Sequence, residues 1–311
     1  MPRFLKRTAY VLLAVLLLLA AAVALLLRPD IPLERLRAKY ATPPSKFVDV
    51  GGLQVHYRDE GQGFPLVLLH GAASSLFTWD AWAEDLSKHY RVIRYDLPGF
   101  GLTGPNATKD YSMAGHVRFL QTFLDQLNVP VCYLAGNSYG GRIAWEFAYA
   151  HPDRVKKLVL VDASGYPVAH REILAMRLAR MPVIGPILGH VTPRFFVAMT
   201  IRQTYGDPSR LTGAVIDRYY DLIRGAGIRE TFGILSRAPM PDSSAQIQAL
   251  EVPTLILWGS QDRAIPVSFA ERFHRDIRHS QLIVYRGVGH LPMEEIPAET
   301  IRDTQAFLEA Q

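Results

Sequence analysis

The sequence holds a single cysteine, Cys132, which excludes an internal disulfide and any cysteine-based metal site. It reads as a buried strand residue. No internal repeat and no low-complexity stretch runs through the chain, so a solenoid or repetitive array is excluded. Net charge is also scarce where it would count. The formal charge is +5, but Arg3, Lys6, Arg7 and Arg28 give the first 28 residues +4 with no acidic residue, so 29–311 sum to +1. A near-neutral chain without a clustered basic face gives no footing for nucleic-acid binding.

Charge is absent altogether from 9–27, AYVLLAVLLLLAAAVALLL, a run about as long as a helix needs to cross ~30 Å of hydrocarbon. With basic residues on both sides, it predicts an uncleaved transmembrane anchor over 1–28. The expectation is a membrane-anchored protein with a single N-terminal span and its main domain outside the cytoplasm. A signal peptide, leaving a secreted or periplasmic protein, is the alternative. Cleavage after Ala22-Val23-Ala24 would leave Leu25-Leu26-Leu27 as an apolar stub on the mature chain.

With 49% hydrophobic residues in 311, the chain can bury one large core plus an insertion. Pro29, Pro32, Pro43 and Pro44 punctuate a polar linker over 29–46. Two β-rich runs around Gly51-Gly52 predict an antiparallel hairpin, because a two-residue primed turn needs positive φ. Apolar runs at 66–69, 92–95, 131–135 and 158–161 then alternate with helical stretches near 79–88, 112–127 and 141–150. Short continuous apolar strands between helices predict a mostly parallel, doubly wound α/β sheet.

The rhythm breaks after Asp162 and resumes only at 254–258 and 282–285, with a last helix from about Ala298. The gap, 166–242, shows helical spacing at Leu174, Leu178 and Met181 and breakers at Pro182, Gly185, Pro186 and Pro193. It reads as a helical cap inserted between two core segments, 47–165 and 243–311. Its apolar residues Ile184, Ile187, Leu188, Phe195, Phe196, Val197 and Met199 could line a pocket or simply pack the cap onto the core.

Gly136-Asn137-Ser138-Tyr139-Gly140 follows a β-rich run and opens a helix, the setting of a strained elbow that lifts a serine hydroxyl clear of a sheet. A serine needs a base, and the base needs an orienting carboxylate. Asp262 and His290 each stand just after an apolar strand, so three strands deliver Ser138, Asp262 and His290 to one sheet edge. The negative charge of a tetrahedral intermediate needs a cradle of N–H donors. Tyr139, after the serine, and Ala72, in the loop after 65–69, are the expected oxyanion donors. His70 in that loop is expected to shape the turn.

His70 to Ser75 (HGAASS), Asp96 to Gly101 (DLPGFG), GNSYGG from Gly136, WGSQD ending at Asp262 and GVGH ending at His290 together resemble the α/β-hydrolase superfamily from Phe47 onward. The resemblance implies an α/β-hydrolase fold with a structural Asp96. Some members take the triad acid from the position that Asp162 resembles, so Asp162 stands as an alternative to Asp262. Serine at 138 is unlike the aspartate nucleophile of haloalkane dehalogenases and epoxide hydrolases. Asn137 is shared with carbon–carbon bond hydrolases of meta-cleavage products, which typically carry tryptophan where Leu291 stands. A lid-bearing serine hydrolase with an N-terminal anchor resembles monoacylglycerol lipases.

The expected activity is therefore hydrolysis of a small-molecule carboxylic ester, apolar or lipid-derived, through an acyl-enzyme. Carbon–carbon bond hydrolysis and a non-catalytic binding protein of the same fold are the alternatives. No cofactor and no metal is called for, and the expected associations are an ester or lipid substrate and a membrane through the N-terminal helix.

Overall fold

Gly51 and Gly52, at φ of 61° and 85°, reverse the chain between β1 (Lys46–Val50) and β2 (Leu53–Glu60), which pair antiparallel from Lys46↔Tyr57 to Val50↔Leu53. This computed structural model describes residues 3–167, 177–178, 181, 185, 190–239 and 241–310. Beyond the hairpin lie β3 (Pro65–Leu69), β4 (Arg91–Tyr95), β5 (Cys132–Asn137), β6 (Val155–Val161), β7 (Thr254–Gly259) and β8 (Ser280–Tyr285). They form one eight-stranded sheet in the order β1-β2-β4-β3-β5-β6-β7-β8. Only β1–β2 and β2–β4 pair antiparallel, and every later pair is parallel.

Among the described residues the named α-helices are α1 (Arg3–Leu26), α2 (Leu33–Tyr40), α3 (Asp80–Leu86), α4 (Met113–Gln126), α5 (Ser138–Ala150), α6 (Arg194–Thr204), α7 (Gly213–Ile223), α8 (Ile228–Arg237), α9 (Ser244–Gln248), α10 (Ser268–Asp276), α11 (Pro292–Glu295) and α12 (Pro297–Glu309). All six residues of β7 are buried, as a strand covered on both faces requires. Trp145 and Trp258 belong to one core cluster, Trp79 and Trp82 to the other. Cys132 is buried, as expected. The hairpin, the alternation and the late helix stand where the sequence put them. The stretch near 79–88 divides into a 3-10 turn at Leu76–Trp79 and α3.

The expected transmembrane anchor is not borne out. Among the described residues no helix is long and apolar enough to cross a membrane. α1 winds Arg3, Lys6 and Arg7 into its first turns, and many side chains of the 9–27 run lie outside those described. Tyr10, Val11, Leu12, Leu13, Val15 and Leu17 of this helix are exposed.

The segment read as a linker, 29–46, carries α2, whose Leu36 is buried. It is stitched to helices α7 and α8 and the turn between them. Ile31 donates its N–H to the Arg224 carbonyl at 2.7 Å and accepts from Ala226 at 3.0 Å. Asp30 pairs with Arg229 at 2.5 Å. Lys39 and the Tyr40 hydroxyl both reach Asp221, at 2.6 and 2.8 Å. Proline breaks the extended runs here, but the intervening LERLRAKY is a sound helical stretch once Leu36 has a core to enter.

Ser112 caps α4 by accepting the Gly115 N–H at 3.0 Å. One helical turn past this cap, His116 lies between Tyr111 and Tyr139, where its Nε2 is buried with no hydrogen-bonding partner among the described residues. Burial lowers the His116 pKa to about 4, and burial also lowers that of His70. Both imidazoles are neutral in the fold and gain protons on unfolding, so the unfolded chain binds more protons below pH 6.5. Stability is therefore expected to fall as the pH drops from 6.5 toward 4, and His116→Leu to flatten that fall. Melting temperatures across this range check it; identical slopes for both proteins would contradict it.

Candidate active site

β5 runs directly into α5, and the residue at the junction is Ser138, which holds φ at +54°. A non-glycine residue in the left-handed region costs roughly 1–2 kcal/mol, so the surrounding packing must impose the turn. Glycine makes it possible: a Cβ on Gly136 would come within 2.4 Å of the Gly140 carbonyl oxygen, and one on Gly140 within 2.4 Å of the His70 carbonyl oxygen. The G-x-S-x-G spacing is thus a demand for space around the elbow. The helix begins at Ser138 itself, three residues earlier than expected from the sequence.

His290 follows β8 and sits in a fixed frame. Its Nδ1 stands 2.7 Å from Asp262 Oδ2, which leaves Nε2 as the free ring nitrogen. Its backbone N–H donates to the Thr204 carbonyl at 2.6 Å, and its carbonyl accepts from Asn137 Nδ2 at 3.1 Å. The same Asn137 amide donates to the Val161 carbonyl, also at 3.1 Å. Asn137 thus ties the ends of β5 and β6 to the histidine loop.

The Asp262 side chain has no solvent exposure. Its Oδ1 accepts from the N–H groups of Ala264 and Ile265 at 2.7 and 3.0 Å, while Oδ2 faces the imidazole. Two backbone donors and one ring N–H thus fix the carboxylate's orientation against the imidazole. Asp162, Asp262 and His290 each offer one ligand atom within 4.8 Å of the others. The 2.7 Å Nδ1–Oδ2 separation is a hydrogen-bond length, whereas neighbouring ligands on a tetrahedral zinc stand about 3.3 Å apart.

Ala72 and Tyr139 line one cavity together with Ser138 and His290. The five expected site residues are therefore split between this cavity and the buried Asp262 behind it. His70 is buried in the turn, with Nδ1 donating to the Gly71 carbonyl at 2.7 Å and Nε2 accepting from Leu97 at 2.9 Å. Burial lowers its pKa, which suits that neutral tautomer. Asp96 accepts from Leu76, Leu102 and His56, each at 2.7 Å, and acts as a hub for loops.

The cavity measures about 1320 Å³. Phe196, Val197, Ile201, Ile223, Phe232 and Leu235 give it an apolar wall from the cap. Of the apolar residues singled out in the sequence, Phe196 and Val197 reach it. Phe195 and Met199 are exposed instead. Leu174, Pro182, Ile184, Pro186, Ile187 and Leu188 lie outside the described residues.

The sequence reading missed Glu295. Its buried carboxylate accepts from Gly206 at 3.0 Å, Asp207 at 2.7 Å and Gly289 at 2.9 Å. It thereby clamps the residue before His290 to the chain leaving α6. The second of two adjacent glutamates between Pro292 and Pro297 carries no sequence signal for that; the acceptor role exists only once the chain after α6 meets the histidine loop.

If the elbow stores backbone strain, glycine should relieve what alanine cannot. Ser138→Gly is expected to be more stable than Ser138→Ala by about 1 kcal/mol, the left-handed penalty net of glycine's greater freedom in the unfolded chain. Denaturant unfolding of the two variants measures this, and equal midpoints would contradict a strained Ser138.

Residues 66–303, well over half of the chain, match the Alpha/beta hydrolase family. Among curated relatives, the 2-hydroxy-6-oxo-2,4-heptadienoate hydrolase of Pseudomonas putida strain F1 is 30% identical over 276 residues, covering 86% of this chain and 96% of that protein. A solved membrane phospholipase A, described as a bacterial virulence factor, superposes with a TM-score of 0.75 at 28% identity, covering 99% of this chain and 98% of its own. A meta-cleavage product hydrolase from Pseudomonas fluorescens also superposes with a TM-score of 0.75, at 27% identity over 85% of this chain and 97% of its own. By its matched residues and by its sheet, the chain belongs to the Alpha/beta hydrolase family.

Proposed function

We propose that this hydrolase cleaves neutral carboxylic esters with an apolar, lipid-derived acyl group through a Ser138 acyl-enzyme. The observation that carries the reading is the character of the cavity that Ser138 and His290 share. Its cap wall is apolar, and of the four lysine and arginine residues that line it among the described residues, Lys109, Arg142 and Arg229 are paired with Glu230, Glu146 and Asp30, while the fourth, Arg237, is exposed to solvent. Such a cavity favours an acyl chain over an anion, because a free carboxylate would have to compete for three engaged cations or settle for one that water already solvates.

In this mechanism His290 Nε2 takes the proton of the Ser138 hydroxyl as Oγ attacks the carbonyl carbon. The Ala72 and Tyr139 N–H groups hold the resulting oxyanion. Asp262 keeps the Nδ1 proton in place and offsets the imidazolium charge. His290 then returns the proton to the leaving alkoxide, and water repeats the sequence on the acyl-enzyme. None of these steps calls for a metal or a cofactor.

The membrane phospholipase A supports the lipid reading because its likeness covers 99% of this chain, N-terminal helix included. Carbon–carbon hydrolysis is the second reading, favoured by the Pseudomonas putida relative, which the alignment covers to 96% of its length. Two substrate series separate them. Medium- and long-chain p-nitrophenyl esters and monoacylglycerols are expected to turn over, with activity rising with chain length and lost in Ser138→Ala. Rapid cleavage of vinylogous diketo acids with feeble ester turnover would favour the second reading. Failure to react with either series or with a fluorophosphonate probe would favour a non-catalytic protein.

A further inference from the structure

Asp162 stands at the end of β6 with φ at +46°. It is fully buried. Its backbone N–H donates to the Leu257 carbonyl at 3.0 Å, and its Oδ1 accepts from Gly259 N–H, also at 3.0 Å. These bonds fasten β6 to β7 immediately beneath the loop that carries Asp262. Oδ2 is buried and finds no donor among the described residues.

The neighbours of Asp162 make an ionised carboxylate there hard to sustain. Asp262 and His290 each bring a ligand atom within 4.8 Å, and Glu295 adds a further acidic influence from α11. His290, whose ring could answer that charge, already faces Asp262. Two buried carboxylates beside one imidazole cannot both ionise without a large cost; one of them must hold a proton. Asp262 has three donors and Asp162 has one, so the proton belongs on Asp162. Burial and the adjacent Asp262 both push the Asp162 carboxyl well above the usual carboxylate range.

We propose that Asp162 is a neutral positioning residue: a carboxylic acid whose Oδ2 hydroxyl faces the Asp262 carboxylate and donates to it, so that one negative charge, and not two, stands behind His290. The donated hydrogen bond does two things. It draws charge from Asp262, which keeps the imidazole proton on Nδ1 rather than on the acid. It also gives the buried Oδ2 a use. When Asp262 is removed, the like-charge neighbour is gone and Asp162 can ionise, which lets it support the imidazole from a poorer position. The proposal rests on the catalytic reading of Ser138, His290 and Asp262 only for its kinetic consequences.

Infrared spectroscopy of the full-length protein tests the proton without any substrate. Isotope labelling of the aspartates shifts their carboxyl bands and identifies them. At neutral pH the wild-type protein is expected to show the C=O stretch of a protonated aspartic acid, absent from Asp162→Asn. A wild-type spectrum with only carboxylate bands would overturn the proposal.

Kinetics on a small p-nitrophenyl ester then tests the role. Asparagine keeps a donor at that place, so Asp162→Asn is expected to hold kcat within roughly threefold, whereas Asp162→Ala loses on the order of tenfold in kcat with little change in KM. Adding Asp162→Asn to Asp262→Asn is expected to cost a further tenfold or so, because the reserve carboxylate is then lost. If Asp162→Asn fell as far as Asp162→Ala while folding normally, an ionised Asp162 would be required and the proposal would be wrong. A wild-type protein inert to every ester would count against the ester reading and leave the infrared result to decide this one.

Discussion

His290 is held from three sides, and the arrangement of strands, cap and buried carboxylates makes sense as the means of holding it. The Asp262 carboxylate accepts its ring N–H, the Thr204 carbonyl accepts its backbone N–H, and the Asn137 amide donates to its carbonyl. Those three partners come from the loop after β7, the end of α6 and the end of β5. A general base must keep one nitrogen aimed at a hydroxyl to within a fraction of an ångström. A loop residue gains that precision only when backbone and side chain are fixed independently, and here they are fixed by different layers of the molecule.

Charge is distributed with the same economy. Among the described residues, three of the four lysine and arginine side chains that line the cavity are paired within the protein, Lys109 with Glu230, Arg142 with Glu146, and Arg229 with Asp30. Behind the wall, buried acids are placed so that backbone N–H groups answer them: Asp96 receives two, Asp262 two and Glu295 three. Each of these acids fastens a loop at the carboxyl edge of the sheet. Loops there must be irregular to form a site, and buried irregular backbone needs acceptors that no neighbouring strand supplies.

The sequence made the sheet and the candidate site residues legible for a definite physical reason. Fully buried parallel strands such as β7 are short unbroken apolar runs, and the residues just past them are the ones the sheet edge exposes to chemistry, so Ser138, Asp262 and His290 could be found by counting strands. Local chemistry likewise announced the Gly51-Gly52 hairpin. What stayed illegible depends on which strand ends become neighbours. Asn137 stood out only as a residue shared with meta-cleavage product hydrolases, yet its amide spans from β6 to the histidine loop. Glu295 needs the cap in place before it has anything to accept from. The N-terminal run was read as a membrane span from hydropathy alone. α2 was hidden by the prolines around it, and by the fact that the core Leu36 enters is built from Leu76, Phe77, Leu102 and Leu222, far away in sequence.

The stitching of 28–41 onto the cap has a consequence for how this protein could be rebuilt. A cap inserted between two core segments looks like a cassette, something to be exchanged between relatives by cutting at its two ends. Here Asp30 grips Arg229 across 199 positions of sequence, and Lys39 reaches Asp221 across 182. The cassette has a third seam, far upstream of the other two. Any transplant that took 166–242 alone would leave Arg229 without its carboxylate and Ile31 without its carbonyl, so the natural unit of exchange is the cap together with the stretch of chain that precedes the first strand.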